Sequence, residues 1–294
     1  MNRKPPDADA RSAELHGSAP AGGEIRRFGF DRIRWPEFLG IAGLHLVCVF
    51  APWTFSWSAL GVALFLYWAV CGLGISMGYH RLLTHRGFET SGAFRYVLAT
   101  LGTMNFQGGP VGWVGTHRIH HRDSDTENDP HSPRHGFLWA HLLWCLAHDP
   151  LGRRRKAAAL DLGRERGMVW LDKWFWVPQA VLAAVLYLLG GWSWVVWGVG
   201  VRTVFTYHAT WLVNSASHTW GYRNFETKDD SRNNWWVALI SWGEGWHNNH
   251  HAHQRSARHG MRWFEIDATY WSLRLLAWLR VVRNVYAPGP DLLR

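Results

Sequence analysis

The sequence predicts an all-α integral membrane protein. Four transmembrane helices form two hairpins, and a cytoplasmic helical cap carries a histidine-rich metal site. Three observations carry this. Apolar runs of bilayer-crossing length alternate with polar blocks. Twenty-two of the 294 residues are tryptophan, a side chain that gathers at membrane interfaces. Eighteen are histidine, and half of these fall into tight clusters or at the end of an apolar run.

Residues 1–35 are rich in Pro, Ala, Gly and charge, with no apolar segment behind the start. They read as a disordered tail rather than a secretory signal. The membrane domain runs over 36–282 and a short tail over 283–294. Apolar runs at 38–55 and 60–79 each approach the roughly 20 residues that cross the hydrocarbon as a helix. Ala51-Pro52 and Ser56 to Ser58 turn the chain between them. The run 94–113 is interrupted by Arg95, Asn105, Gln107 and Pro110, and reads as a helix lying at the interface. The apolar stretch 137–146 is too short to span. The stretch 174–213 is long enough for two spans, with Gly190-Gly191 as the turn. Residues 270–282 form an amphipathic stretch.

Four spans place both termini on one face. The polar blocks 114–173 and 218–294, with Arg26, Arg27, Arg32 and Arg34, lie there, and the two opposite turns hold no Lys or Arg. An excess of Lys and Arg marks the cytoplasmic side. Both termini and the site are therefore expected in the cytoplasm, and the membrane is taken as a bacterial inner membrane. The net charge of +9 is read as this inside face. The basic residues are scattered rather than interleaved with exposed aromatics, which argues against nucleic acid. Cys48, Cys71 and Cys145 make no disulfide framework and read as small buried hydrophobes.

Three histidine clusters stand out. His80 and His85 form H-x4-H. His117, His120 and His121 form H-x2-H-H, as do His247, His250 and His251. His218 stands at the end of the last apolar run. In a helix, positions three and four apart share a face, so each H-x2-H-H aims two or all three imidazoles at one point. Nine imidazoles then converge just below the membrane. Without metal, nine cationic rings would repel one another and resist burial; a metal takes neutral lone pairs. Nine ligands exceed the needs of one ion and suit two. Iron, copper, zinc and nickel all accept imidazole, and no thiolate lies near. Glu244-Gly245-Trp246-His247 is the lone Glu-x-x-His, so a carboxylate-type di-iron site is not indicated. His16, His45, His131, His135, His141, His148, His208, His253 and His259 read as solvated or hydrogen-bonded side chains.

At these clusters the sequence resembles the membrane fatty-acid desaturases, nearest to the Δ9 group of stearoyl-CoA and glycerolipid enzymes. The strings GYHRLLTHRGFET (78–90), QGGPVGWVGTHRIHHRDSDTENDPHS (107–132), TWLVNSASHTWGYRNFET (210–227) and GEGWHNNHHA (243–252) carry the likeness, which covers about 36–282. The resemblance implies two iron ions held by His80, His85, His117, His120, His121, His218, His247, His250 and His251, with Asn214 holding an iron-bound water. It implies O2-dependent removal of two hydrogens from a saturated acyl chain, carried by a lipid or by CoA, to give a cis double bond. It places Gln107, Trp113, Thr210 and Trp211 at the bend of the acyl tunnel, and a chain-length gate at Trp68. Asp125, Asp129 and Glu244 are candidate acceptors for ligand N–H groups. Arg202, mid-span, is expected to face the bundle interior. Gly108-Gly109-Pro110 follows Gln107 where the animal acyl-CoA enzymes carry polar residues, and resembles the glycerolipid enzymes. No HPGG-like string marks a fused cytochrome b5, so a separate ferredoxin or cytochrome b5 is the expected electron donor. A lipid hydroxylase of the same superfamily is the alternative. A non-catalytic metal-binding membrane protein is the more distant one.

Overall fold

The computed structural model describes residues 33–147 and 152–289. The expected N-terminal tail lies outside the described residues except for its last three positions. Those three already belong to the fold: Ile33 bridges to Ala147, and the Arg34 N–H donates to the Leu146 carbonyl at 2.8 Å. The described chain is mostly helical. Its long helices are α1 (Trp35–Cys48), α2 (Trp57–Thr84), α3 (Gly92–Thr103), α4 (Pro110–Asp123) and α5 (Trp176–His218). The site adds a short helix, α6 (His247–Ala252), and the chain closes with α7 (Ala268–Trp278). Two residues of strand, Glu89–Thr90, pair antiparallel with Val282–Arg283, so the expected C-terminal tail begins inside a hydrogen-bonded element.

Two helices, α2 and α5, are long and apolar enough to cross a membrane. The first expected span is shorter than read. α1 has 14 residues, about 21 Å at 1.5 Å per residue, because the chain turns at Val49 to Thr54 around Pro52. The run 94–113 is not one helix: α3 and α4 flank a turn that carries Asn105 and Gln107.

α5 is two arms. Gly191 sits at φ 62°, ψ −157°, a region essentially closed to side chains with a Cβ. Arg202 donates to Gln179 Oε1 at 3.0 Å, although residues 23 apart on a straight helix would be about 34 Å apart. The chain therefore reverses at the glycine pair. The second arm runs beside α1 and α2: the His45 and His208 Nε2 atoms lie 3.2 Å apart, and the Tyr67 and Phe205 rings are 5.0 Å apart.

α2 and α3 cross closely because of glycine. A Cβ on Gly74 would fall 2.5 Å from the Gly102 backbone nitrogen. Gly78, four residues on, meets Leu98 in the same way, which makes this a small-residue crossing of the membrane-helix kind. Met77, Tyr79, Leu98 and Val114 pack the core beneath it.

Gly191→Ala tests the reversal. A Cβ there meets nothing within 4 Å, so any loss is backbone strain, about 1–3 kcal/mol. Thermal unfolding in detergent should show a midpoint several degrees lower; an unchanged midpoint would remove the strain argument.

Candidate metal centre

The C-terminal part of α2 is wound wide, with i→i+5 hydrogen bonding through Tyr67–Thr84. Such winding is rare and concentrates at functional sites. It explains the five-residue spacing. The His85 N–H donates to the His80 carbonyl at 3.2 Å, and the two rings stack edge-on at 4.9 Å.

α4 and α6 each deal their three histidines between two groups. His80, His85, His117, His121 and His250 bring ligand nitrogens within 4.8 Å of one another; His120, His218, His247 and His251 do the same. The expectation that one H-x2-H-H could aim all three rings at one point is corrected here. Helical positions advance 100° per residue, so the second and third histidines of each cluster, adjacent in sequence, diverge by that angle. On α4 the i, i+4 pair serves the first group and His120 the second. On α6 the i, i+4 pair serves the second group and His250 the first. The groups are neighbours: the His121 and His251 rings are 4.6 Å apart.

The convergent atoms are mainly Nε2. His80 and His121 place theirs 2.9 Å from that of His250. His117 Nε2 is 3.0 Å from His121 Nε2, His218 Nε2 is 3.0 Å from His247 Nε2, and His120 Nε2 is 3.3 Å from His251 Nε2. Nitrogens each about 2.1 Å from a shared divalent ion sit about 3.0 Å apart at right angles. His85 Nε2 is buried with no hydrogen-bond partner. An atom in that state calls for a ligand, so the donor set fits a pair of metal ions.

Four of the outward nitrogens are fixed by carboxylates. His120 Nδ1–H donates to Asp129 at 3.0 Å, His218 Nδ1–H to Asp125 at 2.8 Å and His80 Nδ1–H to Glu244 at 2.6 Å. All three acceptors were readable from sequence. Asp229, which accepts from His251 Nδ1–H at 2.8 Å, was not, because the Lys228-Asp229-Asp230 loop has no spacing signal. Arg81 was missed as well: wholly buried, it holds Glu244 and Asp267 together. His131 and His259, read as ordinary, are buried beside Asp129 and Glu244 respectively.

Electrostatics follow this geometry. Burial, and then the neighbouring imidazoles, push His85, His117, His121, His247 and His250 well below the ordinary histidine range. Burial lowers His251 to about 4, against the pull of Asp229. His120 moves up instead: its burial pulls downward, but Asp129, with Asp125 and Asp229 behind it, outweighs that pull. Burial alone would raise the aspartates, yet their histidine partners hold Asp129 and Asp229 well down and Asp125 at about 2. At neutral pH these six lowered rings thus offer neutral lone pairs inside, with charged aspartates outside.

The residues expected around the acyl chain fall near the first group. Gln107 Nε2–H donates to Thr210 Oγ1 at 3.0 Å, and Trp113 Nε1–H to Gln107 Oε1 at 3.4 Å. The Trp113 ring lies 5.0 Å from His117. Trp211 turns elsewhere, stacking on Tyr207 at 5.0 Å near His141 and His208. Asn214 is half-buried, one helical turn before His218. Trp68 is half-buried against Phe65.

Two buried histidine clusters able to hold metal, beside two helices long and apolar enough to cross a membrane, set the class of this protein. Residues 55–280 match the family described as fatty acid desaturase. The chain is 50% identical over 256 residues to an sn-1 stearoyl-lipid 9-desaturase of Anabaena variabilis, covering 86% of this chain and 94% of that protein. It is 44% identical over 264 residues to an sn-2 palmitoyl-lipid 9-desaturase of Nostoc sp., covering 88% and 93%. An acyl-CoA 5-desaturase of Anemone leveillei is 45% identical over 254 residues, covering 85% and 78%. The chain belongs to the fatty acid desaturase family, and it is an oxidoreductase that desaturates fatty acyl chains.

Asp129→Asn keeps the shape of the His120 support and removes its charge. Loss of such a partner lowers metal affinity about 10–100-fold. Competition with a chelator should report that drop with the protein still folded; wild-type affinity would deny Asp129 its supporting role.

Proposed function

We propose that this chain is a Δ9 desaturase acting on acyl chains of membrane glycerolipids, with two irons, one in each histidine group. The observation that carries the reading is the five-plus-four division of nine inward-facing imidazoles, set beside the Trp113–Gln107–Thr210 chain. The glycerolipid preference rests on Gly108-Gly109-Pro110 and on the names of the two cyanobacterial relatives.

When bound, the iron pair supplies the O2-dependent redox chemistry that an unactivated methylene requires. The stoichiometry is –CH2–CH2– plus O2, two electrons and two protons, giving –CH=CH– and two waters. The electrons come from an external donor such as ferredoxin or cytochrome b5. The protein's own work is orientation. Asp125, Asp129, Asp229 and Glu244 hold the Nδ1–H groups and so turn Nε2 inward. Asn214 would hold a water at the bound metal. Gln107, Trp113 and Thr210 bend the acyl chain past the first group, with Trp211 behind them. Trp68 stands twelve residues before His80 on α2, deeper in the proposed span, where it limits chain length.

The topology we propose has four spans: α1 with its following turn, α2, and the two arms of α5. Both termini and the metal centre are cytoplasmic, in a bacterial inner membrane. Exposed Leu39, Leu46, Leu188 and Leu189 give this bundle an apolar outer surface suited to lipid.

The reading is tested in a host lacking unsaturated fatty acids. Expression should yield cis-Δ9 monoenes on membrane glycerolipids, and His120→Ala or His250→Ala should abolish both product and bound iron while the protein still inserts. Hydroxylated lipid as the main product would favour the hydroxylase. Trp68→Ala should raise the share of longer monoenes relative to 16-carbon ones; an unchanged ratio would remove the gate. Reagents applied outside intact cells should fail to label residues 152–160, and labelling there would break the topology.

A further inference from the structure

Arg202 is an anomaly in an apolar arm. It is 2% exposed, and a charge within a membrane-spanning segment is costly and usually functional. Among the described residues no carboxylate pairs with it. Instead its guanidinium donates to three oxygens on three segments: Gly198 O at 3.0 Å on its own helix, Gln179 Oε1 at 3.0 Å on the other arm of α5, and Met104 O at 2.8 Å. A leucine or methionine would fill the volume without desolvating a charge. What the guanidinium adds is direction.

Met104 opens the turn between α3 and α4. This turn is strained: Phe106, a bulky residue, sits at φ 54°, in the left-handed region that side chains of this size avoid. Its first four residues are each tied. Met104 O accepts from Arg202. Asn105 Nδ2–H donates to Val70 O at 2.8 Å, Tyr207 Oη–H donates to Phe106 O at 3.1 Å, and Gln107 Nε2–H donates to Thr210 Oγ1 at 3.0 Å. Three of these four ties come from one arm of α5, at positions 202, 207 and 210. The strained peptide lies directly before Gln107, so relaxing Phe106 would swing the side chain of Gln107.

We propose that Arg202, seconded by Tyr207, is a positioning residue for regioselectivity. It clamps the Met104–Gln107 turn so that Gln107 meets the acyl chain at one depth, which fixes the carbon pair presented to the metal centre. The proposal rests on the reading of Gln107 as an acyl-chain contact.

The test uses full-length Arg202→Met, Arg202→Lys and Tyr207→Phe with two readouts. Hydrogen–deuterium exchange of the 104–107 amides should rise roughly tenfold in the Met and Phe variants, as expected when protection by a local clamp is lost, and less in the Lys variant, which keeps one donor. Double-bond positions in the products should spread to neighbouring carbons, and kcat should fall roughly tenfold with a smaller change in KM, as misplacement of a bound substrate gives. Iron content should stay at the wild-type level. Unchanged exchange overturns the clamp, and faster exchange with unchanged double-bond positions overturns its role in regioselectivity. If Arg202→Met fails to insert, Tyr207→Phe decides alone, since it removes one hydroxyl. A wild-type chain that makes no double bond, with exchange still faster in the variants, counts against the acyl-chain reading and not against the clamp.

Discussion

Everything in this fold answers to one constraint: an imidazole can bind a metal only through a free lone pair aimed at it. Each ring must therefore be neutral and turned so that the nitrogen carrying hydrogen points away. Burial favours the neutral form in most of the nine rings. Four carboxylates accept the outward N–H groups. A buried carboxylate is itself costly unless charged or polar donors satisfy it. Glu244 meets that condition through Arg81, Ser76 and His259, and Asp125 through Ser132 and the Asp230 N–H. The support therefore extends two layers beyond the ligands, and it draws residues from every part of the cap.

The helical bundle supplies rigidity to this arrangement by close contact rather than by large side chains. Gly74 and Gly78 let α2 approach α3 at backbone distance, which places the wide-wound end of α2 against α4. The rare i→i+5 winding then puts His80 and His85 on one side. The polar groups inside the bundle are few and tied. Arg202, Gln107, Thr210 and Tyr207 all bind backbone or one another, so the residues proposed to meet the acyl chain and the bundle core form one mechanical unit.

Much of this was legible in the sequence. Eight of the nine histidines could be picked out because H-x4-H and H-x2-H-H are spacings, and spacing survives in a one-dimensional string; His218 could be picked out because it stands at the end of the last apolar run. Asp125, Asp129 and Glu244 could be picked out because they stand near those motifs. The Gly190-Gly191 turn was readable because an apolar run of that length must fold back. Their division into five and four was not readable, since it depends on how α4 and α6 face each other. Asp229 and His259 were invisible for the same reason: each reaches the site through tertiary folding alone. Arg81 and His131 stand beside the motifs, but their carboxylate partners Glu244, Asp267 and Asp129 are set by the folded packing. The shortness of α1 also escaped notice. Hydropathy registers the apolar turn around Pro52 as span, while the backbone registers the proline as a stop.

The most direct measurement is X-ray absorption at the iron edge on the purified protein, combined with iron quantification per chain. Two irons per chain in shells of light atoms fitting imidazole nitrogen is the result expected from nine inward-facing rings in two adjoining groups. A single iron per chain, or a first shell containing sulfur, would contradict the account.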